Sequence, residues 1–210
     1  MLRVSPRFFC LEGIDGSGKT TQMELLEAAL TERGHACVRL REPGGSKISE
    51  QIRALLLNPE FKGVMDDKTE LLLYSAARAQ VIRELIAPAL DAGKVVLADR
   101  FVWSTFAYQG FGRGLDAQMI MELSEITCGN YFPELTLVLD VSVEECAARM
   151  KKGERVPDRL ESEKSVFFER VRAGYRQAAA DYSENVVLID ACKTPEEMHR
   201  DILERVLARI

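Results

Sequence analysis

The 210-residue sequence is poor in metal ligands and in cysteine pairs. It has only two histidines, and its five cysteines include no CxxC pair. A zinc site would have few residues to draw on, and an odd cysteine count leaves at least one thiol outside any set of disulfides. We expect the cysteines to be reduced thiols buried as small apolar residues. We expect His35 and His199 to lie at the surface or in loops.

Long apolar runs are also absent. The longest reach four residues, as in Val95–Ala98, whereas a helix that crosses a bilayer needs about 20. The first residues, MLRVSPRFFCLEG, carry charges at Arg3, Arg7 and Glu12 and lack the longer apolar centre of a signal peptide. The sequence therefore predicts a cytoplasmic protein with no membrane partner.

The sequence also lacks an excess of positive charge. The chain has 28 basic and 33 acidic residues, a formal net charge of −5. This balance argues against a dedicated nucleic-acid partner, although a few well-placed cations suffice to bind a small anion. The hydrophobic content of 47% and charged content of 29% are typical of a globular protein. The length predicts a single domain over residues 1–210.

Short apolar runs alternate with longer amphipathic stretches along the chain. Strands are predicted at 7–12, 36–40, 95–98, 135–139 and 186–189. Helices are predicted at 19–33, 46–57, 68–92 with a bend allowed at Pro88, 115–127, 143–151, 162–182 and 195–209. The alternation predicts an α/β fold in which a parallel sheet carries helices on both faces. Ligands of such folds bind beyond the carboxyl ends of the strands.

Residues 13–20, GIDGSGKT, fit the pattern G-x-x-x-x-G-K-[ST] between a predicted strand and a predicted helix. The glycines let successive backbone N–H groups point into one concavity, and the helix N-terminus adds partial positive charge. Lys19 can reach the β- and γ-phosphates of a nucleoside triphosphate, and the Thr20 hydroxyl can ligate Mg²⁺. The expected triphosphate-binding residues are Gly13, Gly16, Ser17, Gly18, Lys19, Thr20 and Thr21.

The rest of the sequence narrows the class of P-loop protein. The Asn-Lys-x-Asp sequence with which GTPases read guanine is missing, and large mechanical ATPases have longer chains. A small-molecule kinase fits better. A plain glycine turn between strand and helix is the alternative, and the complete pattern in this context argues strongly against it.

A second group of charges follows the strands at 36–40 and 95–98. Asp99 and Arg100 end one strand, where Asp99 could hold Mg²⁺ directly or through water and Arg100 could fork onto a phosphate. An ion pair that caps the next helix is the alternative for these two residues. Arg41 opens the REPGG turn after the other strand. Arg41 and Arg100 together indicate an acceptor that already carries a phosphate.

Arg78 stands among small residues on the predicted helix 68–92, in the stretch SAARAQ. An arginine in so small-sided a stretch leaves room for a ligand to pack beside it. A solvated helix face is the alternative for this residue.

Taken together and in their order along the chain, the motifs of this sequence resemble those of the thymidylate kinase family. The resemblance covers nearly the whole chain. The motifs are EGIDGSGKTTQ at 12–22, REPGG at 41–45, YSAARAQ at 74–80, DRFVWST at 99–105, YQG at 108–110 and DRLE at 158–161. The first is common to P-loop kinases, whereas REPGG with DRF and STFAYQ is specific. The resemblance implies a three-layer nucleoside-monophosphate-kinase-like fold with a five-stranded parallel sheet. It also implies a homodimer that transfers a phosphoryl group from ATP·Mg²⁺ to dTMP.

The resemblance also implies roles for residues around the acceptor phosphate and sugar. Asp15 would hold the deoxyribose 3′-hydroxyl and help to order the metal site. Arg100 would bind the dTMP phosphate with Arg41 nearby, and Tyr108 would fill the space that a ribose 2′-hydroxyl needs.

The thymine base would be bound by a further set. Tyr74 would stack on it, and Arg78 would donate to one of its carbonyls. Ser104 and Thr105 would lie beside the base, and Gln109 would complete the pocket. The family more often has phenylalanine at position 74, so the Tyr74 hydroxyl needs a partner of its own. The GFGRG stretch at 110–114 is predicted to be a loop next to this pocket.

The segment 150–161 resembles the lid of this family, with a solvated surface loop as the alternative. Because residues 14–17 hold no arginine, the chain resembles the type whose catalytic arginine lies in the lid. Both Arg155 and Arg159 are candidates. Arg149, just before the lid, would pack on adenine.

Two other functions compete with this one. A deoxynucleoside kinase takes an acceptor without a phosphate, which the pair Arg41 and Arg100 argues against. A nucleotide-binding regulatory protein without turnover would have no need of Lys19, Thr20 and Asp99 together.

Overall fold

The computed structural model of the chain describes residues 3–150 and 158–210. Within these ranges the strands form one sheet and are β1 (Val4–Glu12), β2 (Cys37–Arg41), β3 (Val95–Asp99), β4 (Phe132–Asp140) and β5 (Val186–Asp190). The α-helices are α1 (Lys19–Glu32), α2 (Lys47–Leu57), α3 (Asp67–Val81), α4 (Ala87–Asp91), α5 (Val102–Thr105), α6 (Ala117–Cys128), α7 (Val143–Met150), α8 (Ser165–Asp181) and α9 (Pro195–Leu207).

Two π-helical segments and one short 3₁₀ turn complete the described elements. The segment Ile82–Ile86 joins α3 to α4, and the segment Phe106–Gly112 continues α5. The 3₁₀ turn covers Pro59–Phe61. Among the described residues, no helix has the length and apolar content to cross a bilayer.

The sheet has the strand order β2-β3-β1-β4-β5, and all neighbouring strands are parallel. Its register places Leu11 of β1 beside Asp99 of β3, and Asp99 beside Arg41 of β2. The carboxyl ends of these three strands therefore lie side by side. The loop that follows β1 leaves from the middle of that edge.

Both faces of the sheet are covered, because successive residues of a strand point to opposite sides. Phe9 and Leu11 belong to an apolar cluster that includes side chains of α1, α8 and α9. Phe8 and Cys10 belong to a second cluster with α3, α4 and the π-helical segment between them. This double coverage explains why the strand sequences are continuous apolar runs rather than alternating ones.

The predicted α/β architecture with five parallel strands is confirmed, and every predicted strand is present. A π-helical segment, Ile82–Ile86, interrupts the predicted helix 68–92 just before Pro88, and such a turn accommodates the missing N–H of proline. The prediction of a loop at 110–114 was wrong as far as Gly112, which belongs to the second π-helical segment. The predicted lid lies partly outside the described residues, because its residues 151–157 do.

Candidate active site

Glycine shapes the loop between β1 and α1. Gly13, Gly16 and Gly18 have φ angles of 134°, 84° and 101°, a region that residues with a Cβ rarely adopt. A Cβ on Gly13 would lie 2.7 Å from the carbonyl oxygen of Leu139, and one on Gly16 would lie 2.8 Å from that of Cys146. Because α1 begins directly after Gly18, its first N–H groups lie at this loop. The loop has the form of an anion cradle.

Lys19 is the first residue of α1, and its side chain folds back over the loop. Its Nζ donates to the carbonyl oxygens of Gly13 at 2.9 Å and Ile14 at 3.1 Å, and lies 3.7 Å from Asp15. Burial and the nearby charge of Arg100 lower the pKa of Lys19. The ammonium is thus held at the loop by carbonyls that phosphate oxygens can replace.

The acidic and hydroxyl groups near this loop suit a hard cation. Asp99 ends β3, and its Oδ1 is buried with no hydrogen-bond partner within residues 3–150 and 158–210. Thr20, in the first turn of α1, lines the same cleft as Asp99. A carboxylate oxygen and a hydroxyl are ligands that Mg²⁺ prefers. The residues present therefore fit a magnesium site. Thr21 lies next to Thr20 and is exposed, whereas Ser17 is buried.

Arg100 follows β3 and joins several elements at the carboxyl edge. Its φ of 70° is unusual for a residue with a side chain. Nη2 forms an ion pair with Asp15 at 2.7 Å, and Nη1 donates to the carbonyl oxygen of Gly13 at 2.8 Å. The guanidinium also lies over the Tyr108 ring, 5.3 Å from its centroid. Arg100 is thereby fixed between the glycine loop and the π-helical segment Phe106–Gly112.

A buried carboxylate, Glu12, holds the turn on which Arg100 sits. Its Oε1 accepts from the backbone N–H groups of Phe101 at 2.7 Å and Ser104 at 2.9 Å. Its Oε2 accepts from the Ser104 hydroxyl at 2.6 Å and the Tyr175 hydroxyl at 2.9 Å. Arg100 donates in turn to both hydroxyls. Three of these donors lock the start of α5 onto the end of β1, and the fourth joins α8 to the same carboxylate. Together they position Arg100.

A cleft of about 280 Å³ opens beside the glycine loop. Its walls include eleven of the residues that the sequence singles out, namely Asp15, Thr20, Arg41, Tyr74, Arg78, Asp99, Arg100, Ser104, Thr105, Tyr108 and Gln109. The structure thus brings the whole expected acceptor and metal set to the wall of one cleft. Its remaining walls are formed by Glu42, Pro43, Arg53, Leu57, Phe101, Asp158, Leu160 and Glu161.

Arg78 lies in the wall of this cleft and is almost fully buried, which excludes the solvated helix face. Its Nε donates to Glu42 at 2.8 Å, and its Nη2 donates to the carbonyl oxygen of Phe101 and to the Thr105 hydroxyl. Burial raises the pKa of Glu42 to about 7, although the charge of Arg78 opposes this shift. No described residue accepts a hydrogen bond from the buried Nη1 of Arg78. One donor of Arg78 is therefore unpaired in the cleft wall.

Two tyrosines line the same cleft. Tyr74 lies one helical turn before Arg78, and burial raises the pKa of its hydroxyl. Burial also raises the pKa of Tyr108, whose hydroxyl is buried without a partner in the described part of the chain. Both phenols stay neutral at physiological pH, so they offer ring faces and hydroxyl groups rather than charge.

Glu70 lies one turn before Tyr74 and forms the centre of a second polar cluster. It accepts from Gln109 Nε2 at 2.7 Å and pairs with Arg113 Nη2 at 3.2 Å and Arg159 Nη1 at 2.6 Å. Arg159 also donates through Nε to the carbonyl oxygen of Leu56 at 2.6 Å. The structure therefore places the Arg159 side chain against α2 and α3, away from the glycine loop. Arg155 lies outside the described residues.

Arg41 and Arg53 form the outer wall. Arg41 is exposed and pairs with Glu50 at 3.2 Å, while Arg53 of α2 donates to the carbonyl oxygen of Pro43 at 2.9 Å. The sequence does not predict Arg53 as a cleft residue, because an arginine on an amphipathic helix resembles a solvated one. The buried polar residues Glu12 and Glu70 were not predicted either. Two features of the sequence could have indicated them: Glu12 directly precedes the P-loop motif, and Glu70 lies one helical turn before Tyr74.

Arg149 lies on the other side of the glycine loop, on α7. It forms an ion pair with Glu145 at 3.0 Å and donates to the carbonyl oxygen of Ala191 at 3.0 Å. It is not part of the cleft wall among the described residues. These contacts hold Arg149 between α7 and the residue that follows β5.

The chain is similar to proteins of known family along nearly its whole length. A sequence model of the thymidylate kinase family matches residues 11–202. The thymidylate kinase of Halothermothrix orenii is 46% identical over 201 residues, which cover 95% of each chain. That of Geobacillus thermodenitrificans is 44% identical over 204 residues, covering 97% of this chain and 90% of the relative.

A solved structure agrees with these sequence matches. The crystal structure of thymidylate kinase from Ehrlichia chaffeensis superposes with a TM-score of 0.75 at 31% sequence identity. The superposition covers 97% of this chain and 98% of the other. The expected nucleoside-monophosphate-kinase-like fold is thereby supported by a structure as well as by sequence.

Proposed function

The chain belongs to the thymidylate kinase family and is a phosphotransferase, and we propose that it transfers the γ-phosphoryl group of ATP to dTMP, giving ADP and dTDP. One observation carries the proposal. Arg100 stands where the glycine loop meets a cleft walled by an aromatic ring, Tyr74, and by the unsatisfied donor of Arg78. A triphosphate site and a nucleotide-sized acceptor site thus share one cation.

The donor side works through positioning and charge. The backbone N–H groups after Gly13 and the Lys19 ammonium would bind the β- and γ-phosphates, replacing the carbonyls that now hold Nζ. Mg²⁺, held by Thr20 and Asp99, supplies neutralisation of phosphate charge when bound. Arg149 is proposed to pack on the adenine.

The acceptor side explains why the substrate is a monophosphate. Arg100 would bind the dTMP phosphate at a fixed distance from Lys19, because its guanidinium is tied to Asp15 and Gly13. Fixing both reacting groups removes the entropy cost of bringing them together. Arg41 and Arg53 add positive charge at the same wall. A nucleoside without phosphate would leave these cations unused, which argues against a deoxynucleoside kinase.

The nucleoside would occupy the rest of the cleft. Tyr74 is proposed to stack on thymine, with Arg78, Ser104, Thr105 and Gln109 around the base. Tyr108 is proposed to fill the position of a ribose 2′-hydroxyl, and Asp15 to accept from the 3′-hydroxyl. Their shared position in the cleft wall supports these roles.

A steady-state assay with ATP and Mg²⁺ tests the proposal. We expect dTMP to be the best acceptor and dUMP a weaker one, because the thymine methyl adds a small apolar contact. We expect dCMP, dGMP and thymidine to be poor acceptors. A preference for thymidine over dTMP would favour the deoxynucleoside kinase, and dTMP binding without ADP release would favour the regulatory protein.

The catalytic lid arginine is proposed to be Arg155, because Glu70 and the Leu56 carbonyl already hold the Arg159 side chain. We expect Arg155→Ala to lower kcat about 100-fold or more while the melting temperature stays unchanged. Arg159→Ala should instead lower the free energy of unfolding by about 3 kcal/mol, because it leaves a buried carboxylate short of a partner. Kinetics and thermal unfolding of both variants check this. A large kcat loss in Arg159→Ala at unchanged stability would reverse the assignment.

A homodimer in the cytoplasm completes the proposal. Helices α3 and α6 pack on each other, and each carries an exposed apolar residue, Leu72 and Ile126. Such residues suit an interface between two copies. The free thiols of all the cysteines support a reducing compartment. The excess of acidic residues supports a small-molecule substrate rather than nucleic acid.

A further inference from the structure

Glu70 is a buried carboxylate that the phosphoryl-transfer chemistry does not use. It is 1% exposed and accepts from three side chains, those of Gln109, Arg113 and Arg159. Burial raises its pKa, but the hydrogen bonds from Arg113 and Gln109 and the charges of both arginines outweigh this, so the net pKa is lowered. Glu70 is therefore an ionised group that can only accept hydrogen bonds.

An acceptor-only neighbour decides which way the Gln109 amide points. Nε2 of Gln109 donates to Glu70 Oε1 at 2.7 Å. In the flipped amide, Oε1 of Gln109 would take that place, and two oxygen acceptors would face each other at hydrogen-bond distance. The carboxylate itself cannot relieve this clash by protonation, because two guanidinium groups hold its charge. The Gln109 amide is therefore held with Nε2 on Glu70, and its Oε1 remains available to accept a hydrogen bond.

Gln109 lines the cleft, and no donor in the described part of the chain bonds to its Oε1. Arg78 lines the same cleft with the unpartnered donor Nη1. The cleft wall therefore contains one amide acceptor and one guanidinium donor that have no partner among the described residues. Thymine and uracil present the complement, an N3–H donor flanked by carbonyl acceptors. Cytosine presents an acceptor at N3 and an amino donor beside it, which is the reverse pattern.

We propose that Glu70 is a positioning residue that fixes the orientation of the Gln109 amide and thereby sets the preference for thymine over cytosine. This inference rests on the proposed function, because it concerns the base of the acceptor nucleotide. A glutamine free to rotate would offer Nε2 to cytosine as readily as Oε1 to thymine. Gln109 supplies its share of the discrimination only while Glu70 holds its amide in this orientation, and the donor of Arg78 supplies the rest.

The experiment compares dTMP with dCMP in kcat/KM and in Kd by calorimetric titration. Glu70→Gln gives Gln109 a neighbour that can donate or accept, so the amide can flip. We expect the ratio of kcat/KM for dTMP over dCMP to fall about tenfold or more, chiefly through a lower KM and Kd for dCMP. Glu163→Gln is the matched control. It removes an equal charge from Arg113, whose Nη1 lies 2.6 Å from Glu163 outside the cleft wall, and the ratio should stay unchanged.

A reciprocal swap provides the rescue. In Glu70→Gln with Gln109→Glu, residue 70 donates and residue 109 again presents only an acceptor to the cleft, so the ratio should return toward that of the wild type. Glu70→Asp keeps the charge for both arginines but is too short to hold the amide, and should lower the ratio even if Glu70→Gln does not fold.

A ratio unchanged in folded Glu70→Gln and Glu70→Asp, or a swap that restores nothing, would overturn the inference. Wild-type protein that does not phosphorylate dTMP would overturn the proposed function instead.

Discussion

At the scale of single residues, Arg100 has an unusual backbone conformation and also supplies the cation at the centre of the site. Its left-handed φ of 70° is matched by only one other non-glycine residue among those described, Arg7 with 63°. Arg7 lies in the first half of β1, whereas the cleft lies beyond the carboxyl end of that strand. Replacing each arginine in turn therefore distinguishes the effect of losing the guanidinium at the cleft from the effect of changing a residue with a left-handed backbone.

We predict that Arg100→Gly raises KM for dTMP and lowers kcat/KM for dTMP about 100-fold or more, because the acceptor phosphate loses a charge-assisted hydrogen bond. KM for ATP should rise less than KM for dTMP, because Arg100 also contacts Gly13 and Asp15 of the glycine loop. Glycine accepts the left-handed φ without strain, so the fold should persist. Arg7→Gly makes the same change at the same backbone geometry and should leave both constants unchanged. Wild-type dTMP kinetics in Arg100→Gly would remove Arg100 from the acceptor site.

The residues of the cleft and the glycine loop that could be predicted from the sequence are those in contiguous motifs. Lys19, Asp99 and Arg100 could be assigned roles because their neighbours define a strand end or a helix start. Glu12 and Tyr175 could not, since they are 163 residues apart in sequence and meet only through the fold. Arg53 was missed because helical periodicity cannot tell a solvated arginine from one that lines a cleft.

At the scale of elements, apolar periodicity was sufficient for the strands and the regular helices. It failed at Val102–Gly112, where α5 and a π-helical segment stand in a stretch with two glycines. The stabilisation of this stretch is tertiary, because α8 packs along it. The π-helical segment and α8 approach each other closely at Gly112 and Gly174. A Cβ on Gly112 would lie 2.7 Å from the Phe167 ring. Glycine here permits contact rather than ending a helix.

We predict that Gly174→Ala destabilises the protein by about 1–3 kcal/mol, although alanine is the better helix former. The new Cβ would lie 2.9 Å from the backbone Cα of Ala107 and 2.9 Å from the Phe111 ring, so a helix must move. Because this segment carries Tyr108 and Gln109, KM for dTMP should rise as well. Chemical denaturation and kinetics test both effects. The control is Ala173→Ser, on the exposed side of the same helix, and a Gly174→Ala protein as stable as this control would contradict the prediction.

At the scale of the whole molecule, one ion-pair cluster ties the sheet to α8 at the carboxyl edge. Asp140 ends β4, is 14% exposed and pairs with Arg172 and Arg176, each at 2.7 Å. Burial raises the pKa of Asp140, but the hydrogen bonds from both arginines outweigh it and lower the net value. Because α8 also contributes Tyr175 to the Glu12 network, this attachment supports the acceptor site from outside.

We predict that Asp140→Asn lowers the free energy of unfolding by about 1.5–3 kcal/mol near neutral pH, because two charge-assisted hydrogen bonds are weakened. The folded-state pKa of Asp140 lies below its unfolded value of about 3.9. Its contribution to stability is therefore complete above that value and is lost as the pH falls through the folded-state pKa. Denaturation of wild type and variant should show a constant difference from neutral pH to about pH 5, and a shrinking difference below about pH 4.

Asp190 supplies the matched control, because it is the register partner of Asp140 on the neighbouring strand β5. Its carboxylate accepts from the backbone N–H of Cys192, and no ion pair joins it to another described residue. Asp190→Asn makes the same chemical change one strand away, so its effect on stability should be smaller and should not depend on Arg172 or Arg176. If both variants lost equal stability with the same pH dependence, the loss would come from the general charge of this edge rather than from the attachment of α8 to β4.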